Sequence, residues 1–163
     1  MDPTPANPTG PAYRFGAPFR DRIAPPGARG EPLVFEGRVH HPDGAPVHDV
    51  IVDLWHASSR GLYDLFSRRM AFRGRRWVDP DGTFRFHTVV PAGYLWRPPH
   101  LHLKVWRGED LLLTTQVYLA GHLRLRLDPA VQRDLIAPVE RSGSIARLRY
   151  DLVLPRVDAA DDG

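Results

Sequence analysis

From residue 32 onward the chain breaks into short runs of β-branched and aromatic residues, and a Pro, Gly or Asp turn cuts off each run after about eight to twelve positions. A chain cut that often has no room for long helices and must satisfy its backbone by pairing short strands. Residues 33–39 read as a strand ended by Pro42-Asp43-Gly44, and 50–55 as the next; Gly61 then opens a loop. Trp77-Val78, the turn Asp79-Pro80-Asp81-Gly82 and residues 83–86 read as a β-hairpin, in which Phe84 and Phe86 face one way and Thr83 and Arg85 the other. Residues 99–106 form a strand that Gly108-Glu109-Asp110 turns into 111–119. A short helical stretch is expected near 129–135, and 145–154 supplies a final strand. The pattern predicts an all-β fold, a sandwich of mostly antiparallel short strands with little helix. Residues 1–31, rich in Pro, Gly and Arg, are expected to form an extended N-terminal arm. Residues 32–157 form the sandwich domain, and the acidic tail at 158–163 is expected to be flexible.

Composition removes several classes of chemistry. The chain has no cysteine, which excludes disulfides, thiolate zinc sites and iron–sulfur clusters. Lys104 is the only lysine among 22 cationic side chains, and the arginines gather in Arg68-Arg69, Arg73-Gly74-Arg75-Arg76, Arg124 and Arg126. With a net charge of only +3, these suit a solvated face better than a nucleic-acid interface, and they would help attract a small anionic substrate. The first residues show no basic segment followed by an apolar core, and no apolar run approaches the roughly 20 residues of a membrane span. A cytoplasmic protein with no nucleic-acid or membrane partner is expected, and 163 residues suffice for one domain with a real core.

Four side chains stand apart from this background. His100 and His102 are separated by one residue in a strand, so both imidazoles project from one face and can reach one metal. The rigid Arg97-Pro98-Pro99 segment delivers them. Tyr63 and Tyr94 follow glycines in loops, Gly61-Leu62-Tyr63 and Gly93-Tyr94, where flexible neighbours let a side chain turn inward. The other histidines have ordinary places: His40, His41 and His48 in or near turns, His56 and His87 at strand ends, His122 after a glycine. Tyr13, Tyr118 and Tyr150 fit as packed aromatics. Taken singly, a histidine or tyrosine is more often structural, and a His-x-His pair is equally explained by a polar surface strand. A phenolic oxygen is a hard anionic donor once ionised, and a trivalent metal holds tyrosine ionised well below its free pKa of about 10. Two tyrosines with His-x-His therefore point to ferric iron.

The chain resembles the intradiol ring-cleavage dioxygenases, the family of catechol 1,2-dioxygenase and protocatechuate 3,4-dioxygenase. The resemblance runs through Thr9-Gly10-Pro11-Ala12-Tyr13-Arg14, Val52-Asp53-Leu54-Trp55-His56-Ala57 on to Gly61-Leu62-Tyr63, Phe72-Arg73-Gly74-Arg75, residues 79–89, the run from Tyr94 to His102, and Thr115-Gln116-Val117-Tyr118. Its specific part is the Trp55-to-Tyr63 spacing combined with Tyr-x-x-Arg-Pro-x-His-x-His. The resemblance implies a mononuclear non-haem Fe(III) held by Tyr63, Tyr94, His100 and His102, with water or hydroxide in a fifth position. It implies that Tyr94 takes a proton from the substrate and that Arg97 stabilises negative charge on it. Trp55, Trp96 and Gln116 would line or adjoin the substrate pocket, Gly10, Pro11 and Tyr13 in the arm would contribute to it, and His56 and Leu95 would stand beside it. The implied reaction opens a catechol-type ring with O2 between its two hydroxylated carbons, giving a muconate-type dicarboxylic acid.

Catechol-specific members carry an additional N-terminal helical region that forms their dimer, and protocatechuate enzymes divide the site between two subunits. This chain is too short for the first and carries all four ligand positions itself, so a short single-subunit member is expected, with the ring substituents and homo-oligomerisation left open. Two other readings stand beside this one. A metal-free transthyretin-like β-sandwich used for binding or structure explains the strands but leaves the Tyr and His set a coincidence. A zinc or copper hydrolase built on the His pair lacks a carboxylate at suitable spacing.

Overall fold

The computed structural model describes residues 1–156; the acidic tail expected at 158–163, with residue 157 before it, lies outside the described residues. In chain order the strands are β1 (Pro32–His40), β2 (Ile51–Trp55), β3 (Arg73–Trp77), β4 (Thr83–Val89), β5 (His100–Arg107), β6 (Asp110–Leu119), β7 (Ile136–Ala137), β8 (Val139–Ser142), β9 (Ile145–Arg149) and β10 (Leu152–Val153). They form the expected all-β sandwich. In one sheet β1 pairs antiparallel with β4 on one side and parallel with β9 and β10 on the other, and β8 lies beyond β9. The second sheet has the order β3-β2-β5-β6-β7, antiparallel except for the last pair. Among the described residues, no helix is long and apolar enough to cross a membrane.

The core lies between the sheets. Leu33 and Phe35 from β1 and Phe84 and Phe86 from β4 meet Val52 and Leu54 from β2, Leu101, Leu103 and Val105 from β5, and Val117 from β6. Every second residue of each strand thus enters the core, which fixes the register, because a one-residue slip would send the whole apolar set to the other face. The alternation expected for Phe84 and Phe86 is present, with both rings buried.

The hairpin expected at 77–86 is instead a corner between the sheets. The turn itself closes tightly: Gly82 N donates to Asp79 O at 2.7 Å and Asp79 N to Thr83 O at 2.8 Å. The flanking strands then part, β3 pairing with β2 and β4 with β1. Local turn chemistry sets the reversal, but pairing follows the faces that must be buried, and these lie in opposite sheets. Helix near 129–135 reduces to a 3-10 turn at Arg133–Leu135, and a second such turn, unforeseen in the sequence, spans Leu123–Arg126. Strands β7 and β8 are too short to show an alternating pattern and were likewise not anticipated.

One property of the second sheet positions the site. Leu101, Leu103 and Val105 of β5 face the core, so His100, His102 and Lys104 face outward, yet all three are buried. Residues 1–31 make no strand of either sheet, and the stretch 8–13 covers this outer face, with Lys104 donating to Thr9, Tyr13 to Asp53 and Gln116 to the Pro8 carbonyl. A polar sheet face held away from water is where a site can be built at low effective dielectric.

Candidate metal centre

His100 and His102 lie on the middle strand of their sheet, and their Nε2 atoms stand 3.0 Å apart. The ladder places Trp55 and Gln116 on either side of His102 and Tyr118 beside His100. Trp55 stacks flat on the His102 ring, with centroids 4.9 Å apart and planes 9° from parallel. His100 is held from behind, its Nδ1–H donating to the Pro98 carbonyl at 2.7 Å. That bond fixes the tautomer and leaves the Nε2 lone pair facing outward, as a metal-ligating histidine requires.

Two loops bring in the tyrosines. Ser58 N donates to Leu62 O, and Ala92 N donates to Ser58 O, so the Tyr63 and Tyr94 loops are tied together. The glycines before them allow close approach, and Gly61 also takes a left-handed φ of 77°. A Cβ on Gly61 would stand 3.1 Å from Gly93 O and 3.3 Å from Tyr94 Cβ, and one on Gly93 would stand 2.6 Å from Arg97 O. Tyr94 and Arg97 exchange backbone hydrogen bonds in both directions across a two-residue turn, so their side chains share one face. Leu95 takes the turn at φ 48°, a rare conformation for a bulky residue and the kind of local strain that clusters at functional sites.

The four donor atoms converge. Tyr63 Oη lies 3.1 Å from Tyr94 Oη, 2.9 Å from His102 Nε2 and 3.3 Å from His100 Nε2. Donors held about 2.0–2.1 Å from one ion stand roughly 3 Å apart, so the set has the spacing of a coordination shell. His100 and His102 can share a proton between their Nε2 atoms, because nothing holds a proton on His102 Nδ1, but a cation at the centre would engage both imidazole nitrogens and both phenol oxygens at once. Burial, and then the charge of Arg97, lowers the His100 pKa to about 4, and burial, then His100 and Arg97, holds that of His102 well below the ordinary imidazole value, so both rings are neutral and ligand-competent near neutral pH. Burial, then the hydrogen bond with Tyr94, raises the Tyr63 pKa in the protein alone; a trivalent ion would reverse that direction. His102 Nδ1 and Trp55 Nε1 are buried without a hydrogen-bond partner.

Beside the donors is a cavity of about 200 Å³, walled by Pro11 and Ala12 from the arm and by Tyr63, Leu65, Tyr94, Arg97 and His102. Arg97 is fixed from behind: Nε donates to Asp128 Oδ2 at 2.5 Å, and one terminal nitrogen donates to Gln116 Oε1 and to Tyr118 Oη. Burial alone would lower the guanidinium pKa, but bonding to Asp128 turns the net direction upward, so the charge is retained. Asp128 is buried and escaped the sequence reading, because the run Leu127-Asp128-Pro129 carries no pattern that links it to a site. Of the other residues singled out in the sequence, Gln116 touches Arg97, while Trp55 and Tyr13 lie behind His102 and Gly10 lies over it. Trp96 and Leu95 are not brought into the cavity wall; they are 54% and 73% exposed on the turn. His56 is buried with both ring nitrogens occupied, by the Ala57 carbonyl and Thr88 Oγ1. A wider groove of about 570 Å³ crosses the outer face of the other sheet, but there Glu36 is bonded to Arg85 and Arg149 and Arg76 to Asp79, so its charges answer one another. The smaller cavity is the one that adjoins the four donors.

A family model described as Dioxygenase matches residues 9–156. The chain is 34% identical to a chlorocatechol 1,2-dioxygenase of Cupriavidus pinatubonensis, over 92% of this chain and 69% of the relative. It is 32% identical to a catechol 1,2-dioxygenase of Acinetobacter lwoffii, over 88% of this chain and 62% of that one. Among solved structures it is similar to the dioxygenase domain of a dioxygenase–carbohydrate-binding protein fusion from Streptomyces sp. SirexAA-E, with a TM-score of 0.89, 32% identity and coverage of 96% of this chain and 100% of that one. It is also similar to the 3-chlorocatechol 1,2-dioxygenase of Rhodococcus opacus 1CP, with a TM-score of 0.85, 27% identity and coverage of 94% and 73%.

Proposed function

The chain belongs to the intradiol ring-cleavage dioxygenase family, and from that premise we propose that it holds ferric iron through Tyr63, Tyr94, His100 and His102 and opens a catechol-type ring between its two hydroxylated carbons. Both atoms of O2 enter the product, a muconate-type dicarboxylic acid, so the reaction balances without an external reductant. The observation that carries this reading is the meeting of Tyr94 Oη, His100 Nε2 and His102 Nε2 within 3.3 Å of Tyr63 Oη, with the two imidazole nitrogens 3.0 Å apart. A metal-free binding module gives no reason for two phenols and two imidazoles to meet at that spacing.

When bound, ferric iron supplies Lewis acidity and a template for the two substrate oxygens. The chain supplies the rest. Tyr94, which lines the cavity with Tyr63 and His102 and is paired through its backbone with Arg97, would take a proton from a substrate hydroxyl at its Oη. Arg97 faces the same cavity and, held by Asp128 and Gln116, presents a fixed positive charge where the deprotonated ring oxygens would lie. Pro11, Ala12 and Leu65 give the wall its apolar character and keep water from the ring.

Iron-loaded protein is expected to be red to burgundy from phenolate-to-iron charge transfer, and to take up oxygen with at least one of catechol, chlorocatechol, hydroxyquinol or protocatechuate. A colourless preparation that fails to bind added ferric iron would overturn the proposal. The role of Arg97 has its own test. Arg97→Ala alone would strand the buried Asp128 carboxylate, so the cleaner comparison places it in an Asp128→Asn background. Iron content should hold while turnover falls by roughly 10²–10³, the cost of removing one preorganised charge; unchanged turnover would remove Arg97 from the reaction.

A further inference from the structure

A second buried polar cluster lies on the same sheet face and takes no part in the chemistry above. Asp53 on β2 and Lys104 on β5 are ladder partners, one row along the sheet from Trp55 and His102. They are 2% and 5% exposed, and ionisable side chains are seldom buried so deeply without a specific task. Both reach into one short stretch of the arm. Asp53 Oδ2 accepts from Tyr13 Oη at 3.0 Å, and Lys104 Nζ donates to Thr9 Oγ1 at 2.9 Å and to Thr114 Oγ1 at 2.8 Å. Lys104 Nζ also sits 5.1 Å from the centre of the Tyr13 ring.

The residues between these two anchor points are the ones that meet the site. Pro11 and Ala12 wall the cavity, and a Cβ on Gly10 would stand 3.6 Å from His102 Cε1. The Tyr13 ring packs on Trp55 at 4.8 Å, and Trp55 stacks on His102. An unanchored loop of Gly, Pro and Ala has no side-chain polar atom of its own with which to hold its place.

We propose that Asp53 and Lys104 are positioning residues, which clamp the arm at Tyr13 and Thr9 and thereby set the Gly10-Pro11-Ala12 wall against which the catechol ring is seated. The inference rests on the proposed function for the identity of the bound ring, though not for the clamp itself. Loosening the clamp costs substrate affinity while leaving the metal donors in place.

Lys104→Met and Thr9→Val remove one end of the clamp, and Thr9→Val is mild enough to fold even if the lysine variant does not. Two readouts are taken: affinity of the iron-loaded protein for 4-nitrocatechol alongside KM and kcat for catechol, and amide hydrogen exchange of residues 9–13 in metal-free protein. The expected result is a rise in KM and in the 4-nitrocatechol Kd of about five- to twentyfold, a smaller change in kcat, unchanged iron content and faster exchange confined to the arm. Thr9→Ser, which keeps the acceptor, should restore parental values. Parental exchange in the arm together with a Kd within about twofold of the parent would overturn the clamp, as would a loss of iron and thermal stability with no change at residues 9–13. Should the parental protein bind neither iron nor 4-nitrocatechol, the reading of the site fails, and arm exchange in the two variants still decides the clamp.

Discussion

His100→Ala should leave the protein folded, largely free of iron, and slower by at least roughly 10³ in turnover. His100 faces the outer layer of its sheet, while its strand neighbours Leu101 and Leu103 face the core, so truncation opens space in the site and not between the sheets. The loss at the metal is large because the ring is prepared for that one task. Pro98 O fixes its tautomer, burial keeps it unprotonated, and nothing else within reach of the remaining donors can replace its nitrogen: Tyr118, its neighbour on β6, is committed to Arg97, Gln116 and Asn7. Iron per chain by elemental analysis, the visible charge-transfer band and the thermal midpoint of the metal-free protein separate the contributions. A variant that keeps a full complement of iron and the parental colour would mean that His100 is not a ligand. One that unfolds would mean that the imidazole holds the fold together, which its position outside the core argues against.

How much of this was legible beforehand differs by level. Strand alternation showed the sandwich, since Phe84 and Phe86, or Leu101 and Leu103, admit one burial only. Alternation does not say which strands pair, and so the turn at 79–82 read as a hairpin when it is a corner between sheets. The His-x-His pair was legible because two side chains on one strand face need no tertiary information to be near one another. The tyrosines come from loops 31 residues apart, and residue types and resemblance single them out; the sequence does not show that the glycines before them also let the two loops touch.

Residues that support the site through a second residue were harder to find. Asp128 reaches Arg97 from the loop just after the 3-10 turn at Leu123–Arg126, and nothing in its neighbours announces the contact. Lys104 carried a usable signal: it continues the His100, His102 face by one more step, and a lone lysine on a buried strand face has to be bonded to something. Trp96 shows the opposite case, an aromatic beside Arg97 that the turn at Leu95 carries outward.

Tyr94→Phe separates holding the metal from moving the proton. The substitution removes Oη and keeps the ring, so the edge-on packing of that ring against Tyr63, at 5.7 Å and 81°, survives, as does the backbone pairing with Arg97. Tyr63, His100 and His102 remain as three donors around one point. Most of the iron should therefore stay, with a shifted and weaker visible band because one phenolate is gone. Turnover should nonetheless fall by roughly 10²–10⁴, the range for losing a positioned acid or base. The reason lies in placement. Of the two tyrosines Tyr94 sits on the exposed turn that also aims Arg97 at the cavity, whereas Tyr63 contacts all three other donors and lies at the centre of the set. Tyr63→Phe, made in parallel, should cost more iron than Tyr94→Phe does. Equal iron loss in the two variants would show that Tyr63 is not the more central donor, and a Tyr94→Phe protein that cleaves catechol at the parental rate would place the proton acceptor elsewhere.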